Sequence, residues 1–98
     1  MIIHSVIFKL KHDDESSETK EFWLAAKKLA NISGVENFTC LKQTSPKNKF
    51  EYGLSMEFEN QRLYDNYSNH PDHVQFIEQF WVTNVEDFLE IDYEKLQD

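Results

Sequence analysis

Residues Ile2 to Lys11 read as a strand with apolar side chains on both of its faces: Ile2, His4, Val6, Phe8 and Leu10 alternate with Ile3, Ser5, Ile7, Lys9 and Lys11. A strand of this kind has to be covered twice. The end of the chain repeats the problem, because Val85, Asp87, Leu89, Ile91 and Tyr93 alternate with Glu86, Phe88, Glu90 and Asp92, which sets Phe88 opposite Leu89 and Ile91. Two helices on one side cannot hide that much apolar surface, so a second copy of the chain is expected against the other side. His4 is the one polar intruder on the more apolar face of the first strand. At such a position a histidine is more often a hydrogen-bonded core residue than a catalyst.

The remaining elements follow in a simple order. Ser16 or Ser17 can cap a helix running to about Asn31, with an apolar stripe of Phe22, Ala25, Ala26, Leu29 and Ile32, and Gly34 supplies its stop. Val35 to Thr44 and Phe50 to Glu59 read as strands on either side of the polar turn at residues 45–49. Asn60 caps a short helix carrying Leu63, Tyr64 and Tyr67, and a further helical piece carries Val74, Phe76, Ile77, Phe80 and Trp81. The predicted fold is therefore α+β: a ferredoxin-like βαββαβ chain with a four-stranded antiparallel sheet and its second helix split at His70-Pro71. Residues 1–98 are expected to form a single domain, which at this length buries about two-thirds of the surface of its unfolded chain.

The split is also where chemistry-bearing residues gather, in Tyr67-Ser68-Asn69-His70-Pro71-Asp72-His73. Proline fits the first turn of a helix and breaks its interior, which puts His70 at a cap and His73 in the new first turn. Backbone N–H groups exposed at a helix start disfavour protonation of a nearby imidazole. A neutral imidazole beside a tyrosine hydroxyl makes an acid/base pair. The competing structural role has His70 as a plain cap, with Tyr67 and His73 wedging two short helices together.

Several functions are excluded on composition and spacing. A formal net charge of −8 opposes binding to phosphate backbones. The third strand, Phe50-Glu51-Tyr52-Gly53-Leu54-Ser55-Met56, lacks the basic-Gly-aromatic signature of the RNA-binding module built on the same element order. No nucleic-acid partner is expected. No stretch approaches a membrane span, and His4, Lys9 and Lys11 interrupt the first apolar run. Cys40 is alone, which suits the cytoplasm, and its predicted strand offers no activating partner for nucleophilic catalysis. His70, Asp72 and His73 superficially suggest metal ligands, but Pro71 splits their register and no further Cys/His cluster completes the set. Gly34 and Gly53, the only glycines, make no phosphate loop, so neither metal nor organic cofactor is expected.

Five segments, taken in order, resemble the stress-responsive A/B barrel (Dabb) family over essentially the whole chain. They are Met1 to Leu10, the Ile32-Ser33-Gly34-Val35 turn, Tyr52 to Glu59, Tyr67 to Phe76, and Asp87 to Tyr93; the His-Pro-x-His-x-x-Phe piece is the most specific. The resemblance implies a ferredoxin-like monomer that dimerises into an α+β barrel, in a family that includes plant stress proteins, a polyketide cyclase and many members without a known reaction. His4 matches the family's histidine at the end of strand one, near a cavity between sheet and helices. Tyr67 and His73 match the pair that acts on substrate in the cyclase. By that resemblance His73 is a general base and Tyr67 hydrogen-bonds a carbonyl or its enolate, while His70 serves structure. The helix-one residues that line the cyclase's alkyl pocket match Phe22, Trp23 and Ala26, and Tyr52 stands where the cyclase has a histidine. Phe22, Trp23, Ala26, Tyr52 and His70 are accordingly the expected ligand-binding residues. The wall they imply differs from the cyclase's, so its substrate is not carried over.

Two functions remain. One is a cofactor-free homodimer performing proton transfer next to a carbonyl, of cyclase or lyase type, on a small apolar-tailed ligand, with His73, Tyr67 and His4 as catalytic candidates. The other is a stress-related dimer that binds a ligand or plays a structural part without catalysis.

Overall fold

The computed structural model describes residues 1–97. Strand β1 (Ile2–Leu10) leads to helix α1 (Ser17–Lys27), which tightens into a 3₁₀ turn at Lys28–Asn31. Strands β2 (Glu36–Lys42) and β3 (Tyr52–Phe58) follow, then helices α2 (Gln61–Asn69) and α3 (Pro71–Phe76). The helix continues through a π turn at Ile77–Trp81 and a last turn at Val82–Asn84 into strand β4 (Val85–Glu94). The sheet is fully antiparallel in the order β2-β3-β1-β4, the ferredoxin-like arrangement, with all helices on one face. β2 and β3 are shorter than their apolar patterns suggested, because residues 43–51 form a turn network in which the Gln43 amide donates to the carbonyls of Ser45 and Phe50.

Local chemistry explains the element ends. The Ser16 hydroxyl accepts from the Thr19 amide at the start of α1, and the Asn60 side chain accepts from the Leu63 amide at the start of α2. Gly34 sits at φ +94°, and a Cβ there would lie 3.2 Å from Leu63, so the turn after the 3₁₀ segment needs glycine for both backbone and space. His70 is extended (φ −65°, ψ 136°), as a residue before proline must be, and this ends α2. Its Nδ1 then accepts from the Asp72 amide at 3.1 Å and caps α3.

Beyond the π turn the helix is tied down by side chains. The Asn84 amide donates to the Phe80 carbonyl at 2.7 Å, and His12 Nε2 pairs with Asn84 Oδ1 at 2.8 Å. The Lys11 amide donates to the Asn84 carbonyl, so the end of this helix is fastened to the end of β1.

The core lies between the helices and the inner sheet face. Phe8, Phe22, Met56 and Phe58 are wholly buried. Phe8 is the hub, with Phe22, Trp23, Tyr52 and Trp81 rings at 5.0–5.8 Å from it. On β1 the inner residues are buried and the outer ones half-buried. The outer face carries Ile3 and Ile7 of β1 beside Leu41, Leu89, Ile91 and Tyr93, and Leu41, Leu89 and Tyr93 are each about half exposed (46%, 49% and 53%).

Phe58→Ala should lower the unfolding free energy by about 3–5 kcal/mol, because it empties a fully buried aromatic site. Leu24→Ala, on the exposed side of α1, should cost less than about 1 kcal/mol. Urea denaturation of the two variants checks this, and equal losses would contradict the core described.

Candidate functional site

The pairing of strands lays out the floor of a cavity before any helix is considered. On the inner face, His4 stands between Met56 and Asp92, and Val6 between Leu54 and Glu90. Phe8 stands between Tyr52 and Phe88 in the next row. Over this floor the helices leave a cavity of about 380 Å³. Its sheet side is His4, Val6, Leu54 and Met56 with Phe88 and Glu90 at the β4 edge. Its helix side is Leu29, Tyr67, His73 and Phe76, closed by Ile77, Trp81 and Val82 from the π turn and the last turn. Trp81 meets Phe88 edge-on at 5.5 Å, joining that roof to the sheet edge.

Polar groups concentrate at one end. His4 Nδ1 lies 2.6 Å from Asp92 Oδ1, and a carboxylate there only accepts, so Nδ1 carries the proton and Nε2 is the basic nitrogen. The Tyr64 hydroxyl lies 2.8 Å from Asp92 Oδ2, 3.2 Å from Glu90 Oε1 and 2.9 Å from His4 Nδ1, tying α2 to both strands. Burial and then the hydrogen bond to Asp92 push the Tyr64 phenol well above its ordinary value, so it stays a donor.

His73 and Tyr67 form the second polar group. Their ring centroids are 4.5 Å apart, and the Tyr67 ring lies 6.2 Å from that of His4. His73 Nδ1 donates to the Ser68 carbonyl at 3.0 Å, which again leaves Nε2 as the basic atom. Burial pushes the His73 pKa down, against an upward pull from the Ser68 bond and Glu90, so the ring is a neutral base at pH 7. Burial, and then the charge of Glu90, push the Tyr67 phenol up. Tyr67 is 3% exposed, and its hydroxyl has no hydrogen-bond partner among the described residues. No fully buried polar side-chain atom among those residues lacks a partner, so the hydroxyl is not sealed off, and Tyr67 lines the cavity.

His4, Tyr67 and His73 thus line one cavity, and His70 does not, being occupied as the cap of α3. Phe22 and Ala26 are wholly buried in the core beneath α1 and do not reach the cavity. Trp23 and Tyr52 meet edge-on at 5.4 Å and border a separate surface depression with Lys20 and Lys27. The turn from α1 into the 3₁₀ segment rotates the stripe, so Leu29 is the residue of this stretch that borders the cavity. Cys40 is exposed on the edge strand β2, and partial burial raises its thiol pKa.

Tyr64, Glu90, Asp92 and Trp81 were not singled out from the sequence. The alternation of β4 put Glu90 and Asp92 on the face of Phe88, but only the register beside β1 sets Asp92 on His4. His4, Glu90 and Asp92 bring ligand-type atoms within 4.8 Å of one another, a different grouping from the His70, Asp72 and His73 set suggested by spacing. In this geometry His4 bonds Asp92, and the Tyr64 hydroxyl lies within hydrogen-bond distance of both Asp92 and Glu90. His70 Nδ1 and Asp72 Oδ2 are 3.9 Å apart.

Sheet order, helix layer and cavity define a ferredoxin-like α+β protein with a polar-ended apolar cavity between sheet and helices. The stress-responsive A/B barrel domain model matches residues 2–95, and the chain belongs to that family. It is similar to a Dabb family protein with a ferredoxin-like fold from Mesorhizobium loti, at 50% identity and a TM-score of 0.95, covering 98% of this chain and 97% of that one. It is also similar to a dimeric protein of unknown function with a ferredoxin-like fold from Bacteroides fragilis, at 25% identity and a TM-score of 0.72, with 96% and 95% covered. A hydroxynitrile lyase from Passiflora edulis shares the fold at 15% identity and a TM-score of 0.81, with 94% and 90% covered. No curated protein sequence matches the chain. No helix among the described residues is long and apolar enough to cross a membrane.

The lowered pKa of His73 fixes the sign of a pH effect. The unfolded chain takes up the His73 proton near the ordinary value of 6.5, and the folded chain only at lower pH. The contribution to stability is therefore full above 6.5 and is lost as pH falls below it. Histidine titration by NMR should give His73 a midpoint below 6.5, and His73→Asn should flatten the fall in melting temperature just below that pH. A His73 midpoint at or above 6.5 would contradict the desolvation described.

Proposed function

We propose that the cavity takes a small molecule with an apolar body and a carbonyl, and that His73 and Tyr67 move a proton next to that carbonyl. The supporting observation is that the hydroxyl of the buried Tyr67 has no partner among the described residues, beside a neutral His73 whose Nε2 is its free basic nitrogen. In the step proposed, Nε2 takes the proton from the carbon next to the carbonyl. The C–H bond breaks, the N–H bond forms, and the electron pair moves onto the carbonyl oxygen as an enolate. The Tyr67 hydroxyl donates to that oxygen, where charge develops. His4, held by Asp92, presents a second basic nitrogen on the same cavity and is the candidate to receive or return a proton at the far side of the substrate. Such chemistry needs neither metal nor organic cofactor, and it suits a cyclase or lyase.

The assembly we propose is a homodimer formed through the outer sheet face, whose Leu41, Leu89 and Tyr93 side chains are half exposed in the single chain. The dimeric Bacteroides fragilis protein supports this by similarity. A lone cysteine fits the cytoplasm as its compartment. The 4.5 Å ring contact of Tyr67 with His73 also suits a second function, a stress-related dimer that binds a ligand without turning it over.

Three measurements test these proposals. Sedimentation equilibrium at micromolar concentration should give twice the chain mass, and a well-folded monomer would end the barrel proposal. Thermal-shift screening with small carbonyl compounds should yield a stabilising ligand, and Tyr67→Phe and His73→Ala should abolish its effect or its turnover while the dimer stays folded. If both variants instead lower the melting temperature and leave the ligand response intact, the two residues serve packing. Binding retained by the parent protein with no proton exchange at the carbon next to the carbonyl, followed by deuterium uptake, would favour ligand binding without catalysis.

A further inference from the structure

The charge lining the cavity is one-sided. Among the described residues no lysine or arginine borders it, and Glu90 is the one aspartate or glutamate that does. Asp92 stands two residues further along the same strand face but is engaged on both oxygens, by His4 at Oδ1 and by Tyr64 at Oδ2. Glu90 is less engaged. Only its Oε1 lies near a donor, the Tyr64 hydroxyl at 3.2 Å, and its second oxygen has none among the described residues. Glu90 lines the same cavity as Tyr67 and His73, and its charge acts on both. The remaining lining is apolar, from Val6, Leu54 and Met56 below to Phe76, Ile77 and Trp81 above. A volume of about 380 Å³ is that of roughly a dozen waters, enough for one ring and a short chain.

A ligand carboxylate entering this space would bring a second anion to Glu90 with no cation to receive it. A ligand ammonium would find in Glu90, an exposed residue at the cavity's β4 edge, a carboxylate oxygen with no donor among the described residues, and the bond would be charge-assisted. From this geometry we propose that Glu90 makes the cavity selective for ligands with an ammonium head on an apolar body and against the matching carboxylates. The proposal rests on the cavity being a small-molecule site, as argued above, and it names the ligand's charge class. Glu90 is thus a specificity-determining residue, and Tyr64 positions it.

Three probes with a common phenyl body test the proposal: 4-phenylbutylamine, 4-phenylbutan-1-ol and 4-phenylbutyrate, titrated calorimetrically into the parent protein, Glu90→Gln and Glu15→Gln at pH 7.5 and low salt. Glu15→Gln removes the same charge from an exposed loop residue that does not border the cavity. In the parent protein the amine should bind about tenfold more tightly than the alcohol, the range expected of a hydrogen bond to a charged group, and the carboxylate more weakly than either. Glu90→Gln should bring amine and carboxylate to within about threefold of each other, since the amide keeps the size and hydrogen-bonding capacity of the carboxylate but carries no charge. Glu15→Gln should leave the parent order unchanged. A carboxylate bound as tightly as the amine, or an amine preference that Glu15→Gln erodes as much as Glu90→Gln does, overturns the proposal and leaves the small-molecule site standing. Failure of all three probes to bind, the alcohol included, overturns it together with the site.

Discussion

A buried imidazole in the middle of a sheet has to be satisfied, and much of this structure follows from how His4 is. Left without partners at 8% exposure, it would cost about 1–3 kcal/mol per unsatisfied group. The antiparallel pairing of β1 with β4 sets Asp92 directly opposite it, and α2 brings the Tyr64 hydroxyl down onto both. One polar knot therefore joins the central strand, the edge strand and a helix. The Phe58 and Tyr64 rings stack at 5.1 Å beside it, so the knot is continuous with the core. Slipping β4 by one residue would carry Asp92 to the outer face and strand His4.

The same pairing accounts for the cavity. With Glu90 and Phe88 in line behind Asp92, the inner face of β4 is acidic and aromatic, so no aliphatic layer fills the space beneath the last helical turns. The break at His70-Pro71 bends the helix path away from α2, and the π turn swings Trp81 back over Phe88. Tyr67, on the last turn of α2, and His73, in the first turn of α3, then face each other across the bend. A continuous helix would set positions 67 and 73 almost two turns apart, about 9 Å along its axis, and could not bring their rings into this contact.

The two faces of the sheet divide the work. The inner face holds a core at one end, built around Phe8, and a polar-ended cavity at the other, built around His4. The outer face carries Ile3, Ile7, Leu89 and Ile91, with no helix over them among the described residues. A covering partner there would leave the cavity on the helix side free for a ligand, so assembly and binding make separate demands on the sequence.

Much of this was legible in the residues alone. The period-two patterns of β1 and β4, the stripe through Phe22, Ala26 and Leu29, the asparagine and serine caps and the proline break all act over a few neighbouring residues, where sterics and local hydrogen bonding decide. The βαββαβ order and the split second helix follow from them, and so does the grouping of Tyr67 with His73. The expected wall of Phe22, Trp23, Ala26, Tyr52 and His70 depended instead on where each stripe points once packed. Packing around Phe8 took up Phe22, Trp23 and Tyr52, the core took Ala26, and capping of α3 took His70. Tyr64, Glu90 and Asp92 were visible only as a helix residue and two strand acids. Their meeting at His4 spans 28 to 88 residues of chain, a matter of strand register and helix docking that no local pattern carries.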